Sequence, residues 1–383
     1  MSASDPLDVV IVGAGIAGLS LAFELTRRSS IRVAVIAPSE HVAGSATPVA
    51  QGISAIKGLL LAREPLFHAK LSAHRFLPAW LAEVSASAGL SIAQNHCGVG
   101  ELCPDLPAYQ GVAGRIFQRR FHGAFGVLAG TFGEAKINGL LYPGDFWFDP
   151  RGLLDALEEA LCRTRGEQVT RIRARVVSLS SGEPTQAKLD DGSSIFARHV
   201  VLANGWQAPQ LLASAPASVR LLTIPGWKEV PGQTIEWAPP SGRTFVAPYF
   251  QPGERLVSSF VRGTKSVTLT PAGNIFAGSW EGDEQDFLPG VAQEASLFLP
   301  AADLQNSSVG ASVTRSGIRL RCKDRAPVCG PVSPDGRKGI WLFTGFYKNG
   351  LQLAPWLAGR VADALLAGNP DGIPVSFSTC RFF

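Results

Sequence analysis

Long apolar runs are missing from this chain. The most membrane-like stretch, residues 9–25, is short for a span and is interrupted by Gly13, Gly15 and Gly18. A helix needs about 20 apolar residues to cross a bilayer, so no membrane partner is expected. Runs of Lys or Arg are missing too, and the net charge is only +4. That excludes a basic arm and argues against a dedicated DNA-binding protein. The six cysteines, at 97, 103, 162, 322, 329 and 380, form no CxxC pair. No Cys/His group has zinc spacing, so no metal is expected and the cysteines read as free thiols in a reducing compartment. The opening MSASDP has neither the basic start nor the cleavage site of a secretory signal. A soluble, cytoplasmic protein is the expectation. Internal repeats and low-complexity segments are absent.

What is present is apolar mass. Hydrophobic residues make up 46% of 383 residues and charged ones 17%, which supports large cores and excludes a wholly disordered chain. The length predicts two or three domains. Forty-one glycines and 27 prolines predict many turns.

Residues 8–12 (DVVIV) form an apolar run suited to a strand buried on both faces of a parallel sheet. A glycine-rich turn, a helix over 16–28 and a second buried strand over 31–37 follow, so a βαβ unit opens the chain. Helices are predicted over 55–88, 149–161 and 351–367. Asp149 is the N-cap of the second of these and Pro150 its first residue. Strand character marks 168–180, 195–203 and 340–344, and antiparallel strands are expected within 218–285. Parallel-type elements at both ends, with antiparallel ones between, predict a discontinuous nucleotide domain interrupted by excursions into a second domain.

Gly13, Gly15 and Gly18 stand in GxGxxG spacing between the first strand and first helix. In that context the first glycine allows a tight turn, the second a close approach to a pyrophosphate, and the third close helix–strand packing. The helix N-terminus presents free N–H groups to phosphates. One expected feature is missing. The acid that binds an adenosine ribose belongs at the end of the second strand, where this chain has Ala37; Ser39 and Glu40 are the nearby candidates for that contact.

Further segments, in one order along nearly the whole chain, resemble the D-amino-acid oxidase superfamily of FAD-dependent oxidoreductases, and its glycine oxidase branch most. They are 44–53 (GSATPVAQGI), Asp149-Pro150, 199–205 (HVVLANG), 317–330 (GIRLRCKDRAPVCG) and 345–355 (GFYKNGLQLAP). The resemblance implies an α/β fold. A Rossmann-type FAD-binding domain would comprise residues 1–82, 148–212 and 315–383. A second, α+β substrate domain on a mostly antiparallel sheet would comprise 83–147 and 213–314. It implies non-covalent FAD, because Gly317 falls where sarcosine-oxidising relatives carry the cysteine bonded to flavin. Carried over by resemblance, FAD contacts fall at Ile16, Ala17, Ala46, Thr47, Gln51, Gly52, Ile53, Val176 and Gly205. The segment Phe346, Tyr347, Lys348, Asn349, Gly350, Leu351 and Gln352 would lie along the isoalloxazine. Pro355 has two readings, the first residue of the last helix or a kink inside it, and the first is preferred.

The resemblance also implies the reaction: oxidation of an amino acid or secondary amine by hydride transfer from the α-carbon to flavin N5, giving an imine that hydrolyses. Arg319 matches the arginine that clamps the substrate carboxylate; a structural ion pair with Asp324 is its competing role. Lys348 matches a second cationic position. Thr268 falls where relatives place a carboxylate-holding tyrosine, and Trp280 and Glu281 fall beside the expected substrate position. None of the six histidines sits in a matched catalytic segment, and positioning of a neutral amine supplies most of the effect in such chemistry. The implied partner is a small-molecule amine or amino acid. The alternative is tRNA, because 319–327 also resembles the flavin domain of the bifunctional enzyme that removes a carboxymethyl group from a wobble uridine.

Overall fold

The computed structural model describes residues 6–38, 44–56, 66–102, 126–132, 135–165, 168–216, 226–238, 249–251, 255–262, 265–280, 312–333 and 339–382. Its centre is a sheet in which Val169–Ile172, Val33–Ile36, Leu7–Val12, Ser194–Leu202 and Gly339–Thr344 lie side by side and parallel. Val328–Pro331 closes one edge antiparallel to the last of these. Strand Ser194–Leu202 serves two purposes. Its second half belongs to the parallel core, while its first half pairs antiparallel with Thr185–Leu189, which in turn pairs with Val176–Ser180.

The near-continuous apolar runs explain this sheet, because successive side chains point to opposite faces and both faces are covered. Val9, Ile11, Val33, Val35 and Val201 pack on one side with helices Ile16–Arg28, Leu66–Ala88, Pro150–Arg165 and Gly350–Ala367. Val10, Val12, Ala34, Ile36, Val200 and Leu202 pack on the other with Leu179, Leu189, Leu211 and Leu212. One polar group is set deep among the helices. Glu24 is fully buried and accepts from Arg27 and Arg28 at 2.8 Å and from Trp80 Nε1 at 2.9 Å, tying the first helix to Leu66–Ala88.

Helix starts follow the local chemistry. Asp149 accepts from the Arg151 N–H through its side chain and from the Leu153 N–H through its carbonyl, both at 3.0 Å. The last helix corrects the reading of Pro355, which lies inside Gly350–Ala367. The Asn349 carbonyl already accepts from Leu353 N at 2.8 Å, so the helix is under way before the proline is reached.

Among the described residues the second sheet has ten strands. In spatial order they are Arg255–Leu256, Tyr249–Gln251, Gly126–Phe132, Ala135–Tyr142, Val99–Leu102, Ser259–Arg262, Lys265–Leu269, Ile275–Trp280, Lys228–Trp237 and Ser312–Arg321. All neighbours are antiparallel except Val99–Leu102 with Ser259–Arg262. The chain enters this sheet from residues 99–142, 228–280 and 312–321 and returns to the parallel sheet between and after. The last strand crosses the boundary expected at 315. Glu236 fastens the two halves, accepting from Arg151 of the helix Pro150–Arg165 and from Arg315 of the edge strand, each at 3.0 Å.

Among the described residues no helix is long and apolar enough to cross a membrane, and no His/Cys/Asp/Glu group could hold a metal ion. The five described cysteines are free thiols, and Cys103 lies outside the described residues. Burial pushes the Cys322 thiol up to about 12, with Asp324 adding to the rise, so it is not a nucleophile at neutral pH.

Candidate active site

One elongated cavity of about 720 Å³ runs from the parallel sheet to the ten-stranded one. Its floor is the glycine turn. Gly13 has φ +110°, and a Cβ there would sit 2.7 Å from the Ala203 carbonyl oxygen. A Cβ on Gly18 would overlap the Gly13 carbonyl oxygen, so this glycine lets the helix press onto the turn. No side chain caps the helix at Gly15. The Ile16 N–H donates instead to Thr47 Oγ1 at 3.2 Å, which anchors the loop 45–53 over the helix start.

The structure brings most of the expected residues to this cavity. Gly13, Gly15, Ile16, Ala17, Ala46, Thr47, Gln51, Gly52, Ile53, Val176 and Gly205 line it. So do Arg319, Phe346, Tyr347, Lys348, Gly350, Leu351 and Gln352. Asn349 stands off the lining and serves as N-cap of the last helix. Thr268 is also off the lining; it is fully buried and its hydroxyl bonds Ser259 Oγ at 3.1 Å. The same strand reaches the cavity two residues earlier, at Ser266, and its neighbour reaches it at Val261. Strand alternation alone cannot choose between 266 and 268, because both face one side. Trp280 ends strand Ile275–Trp280 opposite Gln233, and its side chain is outside the described atoms. Ser39, Glu40 and Glu281 lie outside the described residues.

Sequence reasoning missed Asn204, Trp206 and Gln210, which also line the cavity. For Asn204 the available signal was a polar residue directly before a glycine, as in Gln51-Gly52.

Arg319 sits on the edge strand opposite Val230, and its guanidinium fills the space above Gly232 on the neighbouring strand. A Cβ on Gly232 would overlap it. Asp324, the alternative partner, is engaged elsewhere: its carboxylate takes Arg381 Nε and the Ala326 N–H, each at 3.0 Å. The lining segment 343–348 is set by a backbone turn in which Gly345 has φ +76° and Tyr347 φ +53°. Backbone bonds hold the turn to the edge strand, with Tyr347 N donating to Leu320 O at 3.1 Å and an antiparallel bridge joining Phe346 to Arg321.

The donor set fits FAD. Gln51 Oε1 and Nε2 and Asn204 Oδ1 are buried without a hydrogen-bond partner, an arrangement that is costly unless a bound group completes it. The glycine turn and helix start suit a diphosphate, and Gly205 leaves open space where a Cβ would stand. A Cβ on Gly317 would overlap Val49, so that position has no room for a cysteine side chain, and none of the described lining residues is Cys. None is His, Asp or Glu either. Behind the loop, His74 bonds Ser54 Oγ at 2.9 Å and is held down to about 4 by burial, against a backbone hydrogen bond to Gly144 that favours its charged form.

The sequence pattern of the DAO family, described as FAD dependent oxidoreductase, matches residues 8–364. The bifunctional protein ThiO/ThiG of Synechocystis sp. is 27% identical over 98% of this chain and 54% of its own length. The tRNA 5-methylaminomethyl-2-thiouridine biosynthesis bifunctional protein MnmC of Verminephrobacter eiseniae is 27% identical over 95% of this chain and 61% of its own. The chain thus spans a little over half the length of these bifunctional relatives. Glycine oxidase of Geobacillus kaustophilus is 26% identical, covering 93% of this chain and 92% of its own. The crystal structure of that glycine oxidase superposes with a TM-score of 0.76 at 21% identity, covering 99% of this chain and 98% of its own, a likeness of fold.

Proposed function

The chain belongs to the family of FAD dependent oxidoreductases, and from that premise we propose that it oxidises a small amino acid or secondary amine bearing a carboxylate, in the manner of a glycine oxidase. The observation that carries this reading is Arg319, whose guanidinium is seated over Gly232 and lines the same cavity as Phe346–Lys348 and Gly350–Gln352. A bidentate guanidinium fixes a planar carboxylate in one orientation. Holding the neighbouring carbon at near-contact distance from its acceptor is worth several orders of magnitude in rate.

Each part of the cavity has its task. The turn Gly13–Ala17 would hold the diphosphate, and Gln51 and Asn204 would find in the cofactor the partners they lack. Val261, Ile318, Phe343 and Phe346 make the wall apolar and limit water near the reacting carbon. FAD supplies, when bound, the two-electron acceptor for the hydride of the carbon bearing the amine. The described lining holds no His, Asp or Glu, so in this reading the amine enters neutral, and its remaining proton leaves to water as the imine forms and hydrolyses.

The match to MnmC along 95% of this chain supports a second reading, removal of a carboxymethyl group from a tRNA wobble uridine, since that group is part of an N-linked glycine and calls for the same carboxylate clamp. Anaerobic flavin bleaching separates the readings. A free N-substituted glycine or amino acid is expected to bleach the yellow protein, and Arg319→Ala is expected to keep FAD while losing about a thousandfold in kcat/KM. Bleaching by carboxymethylaminomethyl-modified tRNA alone, across a broad panel of amines, would replace the first reading with the second.

A further inference from the structure

We propose that the pocket is built for an amine carrying two anionic groups, the first held by Arg319 and the second at the cavity mouth by Lys348 and Arg321. This rests on the amine-oxidation reading and deepens it.

Two cations converge on one aromatic ring, and Arg319 lies on the same strand as one of them. Arg319 and Arg321 are two residues apart on strand Ser312–Arg321 and therefore face the same side. The Arg321 guanidinium carbon lies 5.7 Å from the Tyr347 ring centroid, and Lys348 Nζ lies 5.5 Å from it. Both are within cation–π range. Tyr347 is held there by a left-handed backbone, φ +53°, uncommon for an aromatic residue. Such strain persists where surrounding structure enforces it, and it clusters at ligand sites. The enforcing contacts here are backbone bonds to Leu320 and Arg321 of the same strand.

The charge arrangement then selects the ligand. Arg319, Lys348 and Arg175 are the charged groups in the described lining, and Arg175 directly precedes strand Val176–Ser180. No described lining residue is negative. Arg319 is partly buried and Lys348 exposed, which places one cation inside and one at the rim. Arg321 Nε is buried without a hydrogen-bond partner. Two like charges gathered around one ring repel each other, and an anion placed between them relieves that repulsion. A substrate with one carboxylate meets Arg319 alone. A second carboxylate on the far side of the nitrogen meets the outer pair, and the positive mouth also concentrates dianions ahead of monoanions.

The test uses the FAD-loaded protein and two ligands that have an ether oxygen in place of the amine nitrogen, so that neither can form an imine. Diglycolate carries two carboxylates and methoxyacetate one. Binding is read from perturbation of the flavin absorbance at low salt. Diglycolate is expected to bind at least about tenfold more tightly. In Lys348→Met that advantage is expected to fall to about threefold or less, and Arg321→Met to reduce it as well. The flavin absorbance before ligand is added reports that each variant still holds FAD. Equal affinities in the parent protein, an advantage that survives in both variants, or no perturbation by either ligand overturns the proposal. Flavin reduction separates the two claims. Equal rates with sarcosine and iminodiacetate keep the amine reading and sink the two-anion pocket. No reduction by any amine, with the diglycolate preference intact, does the reverse.

Discussion

The two ends of the cavity are made by different means. The end over the parallel sheet is nearly all backbone and small side chains: Gly13, Gly15, Ala17, Ala46 and Gly205, with the polar atoms of Gln51 and Asn204 awaiting a partner. The end under the ten-stranded sheet is made by long charged and aromatic side chains, Arg319, Tyr347 and Lys348, projecting from one strand and one turn. The first recognises by letting the chain come close, and the second by reaching out. A large invariant ligand suits the first strategy, because main-chain donors cannot be retuned one at a time. A substrate site that selects among small amines suits the second.

Matched glycine-to-alanine substitutions sharpen this contrast. Gly18→Ala sets a methyl against the Gly13 carbonyl, which is backbone and cannot swing away. The expected result is the largest of the set: loss of about 3 kcal/mol or more in stability and colourless protein on purification. Gly232→Ala sets the same methyl against the tip of the Arg319 side chain, which can move. Full FAD content, an unchanged Tm and a kcat/KM reduced by about a hundredfold are expected, as for a displacement of about 1 Å at a positioning group. Equal loss of flavin in both variants would erase the distinction between the two ends.

The smallest effect concerns the support beneath the loop 51–56. His74 is neutral in the folded protein with its pKa lowered to about 4 by burial, from 6.5 in the unfolded chain. Its contribution to stability is therefore complete above about pH 6.5 and is lost as pH falls toward 4, because the unfolded chain takes up a proton that the folded one refuses. Partial exposure discounts this to about 2 kcal/mol. A Tm–pH profile in which His74→Gln is flatter than the parent between pH 6.5 and 4 is the expected result.

Legibility in the sequence divides along the same line. The glycine spacing, the apolar runs at 8–12 and 199–203 and the Asp149-Pro150 start all act through local geometry, and they predicted the parallel sheet, its turn and a helix start directly. Thr268 was expected at the substrate end, where the structure brings Ser266, because the answer depends on the pairing of Ser259–Arg262 with Lys265–Leu269 and on how the sheet meets the cavity. Neither is written in a single strand's alternation. The room that Gly232 gives to Arg319 was equally out of reach, since it joins residues 87 positions apart through a register only the fold defines.

Strand Ser312–Arg321 is stitched to the cofactor side at both margins: Ile318 N donates to Gly44 O at 2.9 Å, and Tyr347 N to Leu320 O at 3.1 Å. A book-like opening of the two halves would tear these main-chain links. Ligand exchange that spares these links leaves this strand standing still, and the seat of Arg319 above Gly232 is then a dimension of the scaffold.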